Sequence, residues 1–206
     1  MHPTPATTTG ALRPVTSRNH LYPVLLCLVL LLPLGARAAA TDVAGVPLAD
    51  HYSVDGTSLV LNGAGIRSKF FIHIYVGALY LPETSKSAAS ILAAPGPYSM
   101  QMYMLYKRVD ADKIRNGWTE GFRANVDGDG FAALEDRLRQ FNRLFTDLKK
   151  GDVVRMDYAP GKGTSIRING QPRGTVPGRD FALALLRVWI GEHPADDDLK
   201  RGLLGG

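Results

Sequence analysis

The most β-like stretch of the chain carries the residues best suited to hold a ligand. It runs from Ile66 to Leu81 and is rich in β-branched and aromatic residues. Strand alternation would place Arg67, Lys69 and Tyr75 on one face of it. An arginine fork beside a phenol suits a carboxylate or an enolate, because five N–H donors and a hydroxyl can satisfy both oxygens. The competing interpretation is a solvent-exposed arginine at the start of a strand.

A second polar segment has the spacing of a calcium loop. The run from Asn125 to Gly130 places side-chain oxygens at loop positions 1, 3 and 5, and Asp136 falls at position 12. Asparagine at position 1 and the short aspartate at position 12 count against calcium, and a solvated turn between two helices explains the same residues. We therefore predict no metal site.

Other catalytic patterns are missing from the sequence. The only cysteine is Cys27, which rules out a disulfide framework or a thiolate metal cluster. The histidines beyond the N-terminal leader described below, His51, His73 and His193, are too scattered for a helical metal pair. No nucleophile elbow is present. Because these motifs are missing, the sequence predicts no catalytic residue and no cofactor.

Periodicity supplies the elements that must position Arg67 and Tyr75. Four-residue spacing of apolar residues predicts helices, and alternation between turn signals predicts strands. Strands and helices come in blocks without strict alternation, which predicts an α+β fold with an antiparallel sheet. The predicted helices are 84–94, 110–125, 131–148, 179–190 and 196–204; the predicted strands are 59–61, 66–81, 98–107, 152–159, 164–169 and 171–176.

The N-terminus has the layout of a secretory signal peptide. Two arginines precede an apolar run, Leu21 to Leu34, of roughly 14 residues where a bilayer span needs about 20. Small residues around Arg37 follow as a cleavage signal. We predict a signal peptide over 1–38, with cleavage after Ala38 or else Ala40, and a single domain over 39–206. An uncleaved N-terminal anchor is the alternative, and with cleavage no stable membrane span remains.

The charge balance argues against a nucleic-acid partner. The full chain carries 24 basic and 19 acidic residues, but three of the basic ones lie in the first 40 residues, which hold no acid. The remainder is therefore close to neutral, at +2. A basic footprint for nucleic acid is not supported. A mature chain without cysteine suits an exported, periplasmic protein.

The stretch from Leu59 to Leu81, LVLNGAGIRSKFFIHIYVGALYL, resembles the chalcone isomerase-like family, in particular its exported bacterial branch. Two C-terminal segments, Trp189 to Pro194 and Leu199 to Gly205, are similar to the same branch. The resemblance runs in order from about Val43 to Gly205. It implies an open-faced β-sandwich, in which a long antiparallel sheet carries helices on one face and a ligand cleft lies between them.

The resemblance also implies a function. Plant chalcone isomerases combine an arginine with a Thr/Tyr/Lys/Asn set, whereas fatty-acid-binding relatives use the arginine and a tyrosine to hold a carboxylate. Arg67 corresponds to the family arginine and Tyr75 to the tyrosine of the fatty-acid-binding members. The helix 110–125 has no tyrosine and offers only Lys113, Asn116 and Glu120 at the enzyme's spacing. The resemblance thus favours a non-catalytic protein that binds a small amphiphilic acid. One alternative is an intramolecular lyase or isomerase acting on an enone or phenolic substrate. Another is a structural or interaction module whose cleft is filled by its own side chains, and protein partners stay unknown.

Geometry sets a condition on this hypothesis. In one straight strand Arg67 and Tyr75 would stand roughly 26 Å apart, at about 3.3 Å per residue. They can share a head group only if the chain bends or reverses near Ser68 and Lys69. Lys69 and Tyr106 are weaker candidates for the same cleft. The large aromatic residues are expected in its wall or, with better reason, in the core: Trp118, Phe122, Phe141 and Trp189.

Overall fold

The computed structural model describes residues 1–2, 10, 41–93 and 96–206. The predicted signal peptide lies almost entirely outside these residues. The described strands are β1 (Thr41–Val43), β2 (Val46–Leu48), β3 (His51–Val54), β4 (Thr57–Lys69), β5 (Ile72–Leu81), β6 (Tyr98–Met104), β7 (Arg108–Val109), β8 (Leu148–Lys149), β9 (Val153–Ala159), β10 (Gly163–Ile168) and β11 (Gln171–Val176). The described helices are α1 (Ala88–Ala93), α2 (Ala111–Asn125), α3 (Gly128–Asn142), α4 (Arg179–Ile190) and α5 (Asp197–Leu203).

A curled antiparallel sheet of seven strands organises the described part of the chain. Its strand order is β11-β10-β9-β6-β5-β4-β3. The sheet curls enough for β3 at one edge to contact β6 and β9. Two short antiparallel pairs, β1 with β2 and β7 with β8, stand outside it. Mixed elements around an antiparallel sheet are the α+β architecture that the sequence predicts.

The helices cover one face of this sheet and define the main core. Apolar side chains of β5, β6 and β9 on that face pack against the buried faces of α2, α3 and α4. A smaller core on the other face lies around Leu48, Leu59 and Tyr80. The open-faced β-sandwich expected from the resemblance is confirmed. Within the described residues, no helix has the length and apolar character that crossing a membrane requires.

The stretch from Ile66 to Leu81 is a hairpin, which corrects the prediction of one long strand. Strand β4 runs to Lys69, the chain reverses at Phe70 and Phe71, and β5 returns from Ile72. No glycine or proline marks the reversal, so the sequence offers none of the usual turn signals there. The chain reversal that the ligand hypothesis needs is therefore present.

Asn-Gly pairs are a usual signal for a hairpin turn, but Asn62-Gly63 lies inside a strand. Strand β4 continues through it with a shift in register between Leu61 and Gly63. The Asn62 side chain donates to the Leu203 carbonyl at 2.7 Å and accepts from the Ser85 backbone N–H at 2.6 Å. A Cβ on Gly63 would lie 2.2 Å from the Gly202 carbonyl oxygen. The pair serves as the platform on which α5 packs.

The prediction of a helix over 131–148 is wrong at both ends. Helix α3 begins at Gly128, where the Asp127 carboxylate accepts from the Gly130 N–H at 2.7 Å, and it ends at Asn142. Phe145 and Leu148 continue the apolar pattern as buried residues outside the helix. Because 128–136 is helical, these residues do not form the extended oxygen-lined loop that calcium needs.

Candidate functional site

The β4–β5 hairpin places Arg67 directly across from Tyr75. The two residues are register partners, so both side chains project from the helix-covered face of the sheet. The guanidinium carbon of Arg67 lies 6.0 Å from the centre of the Tyr75 ring. A bulge follows at once, because the next pair joins Ser68 to His73 and leaves Ile74 unpaired in this ladder. The two predicted ligand residues are therefore neighbours.

The Tyr75 hydroxyl is buried and already oriented. The tyrosine is 5% exposed, and its hydroxyl oxygen accepts a hydrogen bond from Nε1 of Trp189 at 3.0 Å. Burial raises the pKa of the Tyr75 phenol, and the nearby Arg67 guanidinium opposes that rise. The phenol thus stays protonated at neutral pH, and its own proton is available to an acceptor.

Arg67 is partly buried and takes no part in any ion pair among the described residues. The acid beside it is Asp196, at the start of α5. Its two oxygens accept from the backbone N–H groups of Ser68 and Leu199, at 3.0 and 2.9 Å. These bonds fix α5 to the end of β4.

The weaker candidates do not join this pair. Lys69 is exposed at the tip of the hairpin, paired in register with Ile72. Tyr106 is partly buried, and its backbone N–H donates to the Ile74 carbonyl at 3.1 Å. No hydrogen bond among the described residues links either side chain to Arg67 or Tyr75. The residues of α2 at the enzyme's spacing, Lys113, Asn116 and Glu120, are exposed.

Methionines form the wall beside Tyr75. Met100, Met102 and Met104 of β6 point to the helix-covered face, and Met104 is the register partner of Tyr75. Met102 lies opposite Gly77, where a Cβ would meet Leu199 of α5 at 2.9 Å. Missing bulk at Gly77 is therefore filled by flexible side chains from β6 and α5.

An unsatisfied donor lies close to the pair. Nε1 of Trp118 is buried and finds no hydrogen-bond partner in the described part of the chain. The Trp118 ring lies edge-on to Trp189, with 5.4 Å between ring centres. Buried donors without partners are uncommon, and an acceptor atom from a bound molecule would satisfy this one.

Two cavities lie elsewhere in the described structure. A cleft of about 510 Å³ opens between the end of α2 and the end of α4, lined by Asn125, Arg187 and His193 among others. A neighbouring hollow of about 330 Å³ shares Arg187. Neither Arg67 nor Tyr75 lines either of these two cavities. Among the described residues, no group of three or more His, Cys, Asp or Glu is placed to hold a metal ion.

Sequence reasoning missed two residues of this site. Trp189 was expected in a wall or, preferably, the core; it is buried there with Trp118, Phe122 and Phe141, but it also orients the Tyr75 hydroxyl. Asp196 was passed over as the beginning of a short helix. Both contacts join residues more than 100 positions apart in the chain, and no local pattern encodes such contacts.

Comparison with known proteins agrees with this architecture. Fatty-acid-binding protein 1 of Arabidopsis thaliana is 22% identical over 109 residues, which are 52% of this chain and 39% of that protein. The match thus spans well under half of that relative's length. The crystal structure of an Arabidopsis thaliana fatty-acid binding protein superposes with a TM-score of 0.66 at 17% identity, covering 80% of this chain and 95% of that one, and this shows the shared fold. Residues 40–205 match the chalcone isomerase-like family, and the chain belongs to that family.

Proposed function

We propose that this protein is an exported, non-catalytic binding protein for a small amphiphilic acid such as a fatty acid. Arg67 and Tyr75 hold the carboxylate, and the apolar tail lies among the methionines under α5. The observation that carries this proposal is the direct pairing of an arginine without an ion-pair partner in the described structure with a buried, protonated tyrosine hydroxyl. The name of the fatty-acid-binding relative, matched both by sequence and by structure, supports the ligand class.

The chemistry of the pair favours binding over turnover. A guanidinium and a neutral phenol can neutralise and orient a carboxylate, but neither accepts a proton readily at neutral pH. Lys113 and Asn116 are exposed on α2 and thus poorly placed to support an enone carbonyl. Steady turnover of a chalcone by the purified protein, above the spontaneous rate, would contradict the non-catalytic part of the proposal.

A ligand must create its own space in this site. Methionine side chains are unbranched and change rotamer at low cost, so the wall of β6 can repack around a tail. Leu199 is the side chain of α5 that fills the space above Gly77. We infer that ligand entry displaces Leu199 and shifts the methionines while the hairpin keeps Arg67 and Tyr75 together.

Calorimetric titration with dodecanoate tests the proposal, and dodecanol serves as the ligand control because it lacks the carboxylate. We expect dodecanoate to bind more tightly than dodecanol. We expect Arg67→Ala to weaken dodecanoate binding by about thirtyfold and to leave dodecanol nearly unchanged, since a charge-assisted pair contributes about 2 kcal/mol.

Arg123→Ala is the matched control variant. Arg123 is also stacked on an aromatic ring, with its guanidinium carbon 5.1 Å from the centre of Phe131, but it is exposed on α2. We expect this variant to bind dodecanoate like the parent. Equal affinity of Arg67→Ala and the parent for dodecanoate would overturn the assigned role of Arg67.

Export has its own test. The proposed signal peptide predicts that a bacterial host secreting the full chain will contain a shortened protein in its periplasmic fraction. N-terminal sequencing of that protein should begin at Ala39 or Thr41. A full-length chain retained in the membrane fraction would favour the uncleaved anchor.

A further inference from the structure

The tip of the β4–β5 hairpin carries the exposed apolar surface of the described domain. Phe70 is 86% exposed, Phe71 is 99% exposed and Ile72 is 47% exposed. From residue 41 onward, these are the only large hydrophobic residues with such exposure in the described structure. Contiguous exposed apolar residues mark an interaction surface more often than isolated ones do.

The turn at this tip lacks the glycine, asparagine or aspartate residues that usually form tight turns. Phe70 has a φ of +58°, a left-handed conformation that is uncommon for a bulky residue. Three other turns among the described residues use the left-handed region with glycine second, in Ala44-Gly45, Asp55-Gly56 and Asn169-Gly170. Only this tip places two phenylalanines where those turns place a small or polar residue and a glycine. The aromatic pair therefore costs local strain that a glycine turn would avoid.

Lysines without ion-pair partners surround the base of the tip. Lys69 is the exposed residue before Phe70, and Lys107, Lys149 and Lys150 are exposed in the segments next to the start of β5. Tyr106 bonds to Ile74 and Lys150 bonds to the Lys107 carbonyl, which brings these segments to the same end of the sheet. None of the four lysines takes part in an ion pair among the described residues.

The acids at this end are largely neutralised. Asp110 and Asp147 face Arg108, and Asp198 faces Arg201. Asp196 is bonded to two backbone N–H groups, and Asp152 accepts from the Lys149 N–H. Asp197 has no such partner in the described part of the chain. The tip thus combines two exposed aromatic rings with four lysines that have no ion-pair partner among the described residues.

We propose that the hairpin tip docks the protein on an anionic lipid surface, with Phe70 and Phe71 inserted among the acyl chains and the four lysines at the head groups. Aromatic side chains partition into the interface, and each basic residue near an anionic surface adds affinity. The docking needs no bound ligand, so it stands or falls separately from the proposed function. It would bring Arg67, three residues before Phe70, close to the lipid layer.

A tryptophan reporter in the full chain tests insertion. Both native tryptophans are buried, so Phe71→Trp adds the one exposed indole of the described domain. With vesicles of phosphatidylcholine and phosphatidylglycerol we expect its emission to shift to the blue and to be quenched by brominated acyl chains. Lys86→Trp is the matched reporter, since Lys86 is exposed beyond the opposite end of β5. This second reporter should show neither change. If both reporters change equally, the N-terminal leader rather than the hairpin tip binds the vesicles, and the proposal is overturned.

Charge and aromatic variants complete the test. The double variant Phe70→Ser, Phe71→Ser should no longer float with the vesicles. Its affinity for dodecanoate should equal that of the parent. Lys69→Glu should weaken partition to phosphatidylglycerol vesicles by about fivefold or more, and Lys86→Glu should not. Equal partition to vesicles with and without phosphatidylglycerol would overturn the anionic surface. A blue shift that needs only higher protein concentration would show that a second copy covers the tip instead.

Discussion

The two faces of strand β6 differ in how their side chains are held: one by apolar packing and the other by hydrogen bonds. On the helix-covered face stand Met100, Met102 and Met104, held by dispersion contacts alone. On the other face Ser99, Gln101 and Tyr103 form a chain of hydrogen bonds: Tyr103 donates to Gln101 at 2.7 Å, and Gln101 donates to Ser99 at 3.2 Å.

The polar chain ends on a buried carboxylate. Ser99 and Tyr52 donate to Asp157 at 2.6 and 3.1 Å, so the edge strand β3 is bonded to β9 through the curl of the sheet. A hydrogen-bonded network has few alternative arrangements, whereas methionines have many. The comparison teaches that the face able to repack around a ligand is the methionine face, while the polar face fixes the shape of the sheet.

The largest effect should come from the contact that holds α5 over the methionine face. In Gly202→Ala the new Cβ would lie 2.4 Å from the Ala64 carbonyl oxygen, in backbone that cannot move aside cheaply. We expect a loss of about 3 kcal/mol in the free energy of unfolding, from urea denaturation, or release of α5, from hydrogen exchange. Gly117→Ala is the control, because nothing lies within 4 Å of its new Cβ and alanine favours the helix. Equal stability of the two variants would contradict the close backbone packing.

On the polar face, Asp157→Ala removes the acceptor of two hydroxyl groups. We expect a loss of about 2 kcal/mol in the free energy of unfolding, because Ser99 and Tyr52 lose their charged partner. Affinity for dodecanoate should stay unchanged. Glu83→Ala, at an exposed position, is the control. A ligand effect without a stability effect would reverse the roles assigned to the two faces.

Two neighbouring residues sharpen the comparison further. Met102→Leu replaces a flexible side chain by a branched one of similar volume, so stability should fall by less than about 1.5 kcal/mol while dodecanoate affinity falls.

Tyr103→Phe removes the hydrogen bond to Gln101 on the opposite face, and should lower stability by about 1 kcal/mol without changing affinity. Calorimetry and urea denaturation of both variants decide between the faces.

The smallest effect concerns pH. Burial raises the pKa of the Asp157 carboxyl above its usual value, and the bonds from Ser99 and Tyr52 oppose that rise. Between the unfolded and the folded pKa, the folded state binds more protons, so the contribution of this group to stability falls as pH rises through that window. The difference in urea midpoint between Asp157→Asn and the parent, followed from pH about 4 to about 7, should therefore move in favour of the asparagine variant. A difference that moves the other way would mean that the carboxyl pKa is lowered.

The sequence predicted most elements of the fold because their patterns are local. Helix α4 and strands β9 to β11 follow directly from apolar spacing and from glycine turns. The predictions failed where packing overrides local signals: Asn62-Gly63 reads as a turn but supports α5, and Phe70-Phe71 does not read as a turn although the chain reverses there.

The candidate site was predictable only in part, for the same reason. Arg67 and Tyr75 came from the family resemblance, and the hairpin supplies the proximity that a single strand would have denied them. The bonds to Trp189 and Asp196 depend on how distant helices dock, which spacing along the chain does not reveal. The functional assignment of all these residues stays a prediction.

The register shift after Arg67 separates the hairpin tip, whose residues can vary, from the paired residues Arg67 and Tyr75. Residues 68 to 74 can change identity without disturbing the pairing of Arg67 with Tyr75, because backbone bonds set that pairing. A change in their number would instead alter the bulge at Ile74, which already absorbs an extra residue in β5. Evolution or design could therefore give this loop new side chains for a different surface while the pairing of Arg67 with Tyr75 is retained.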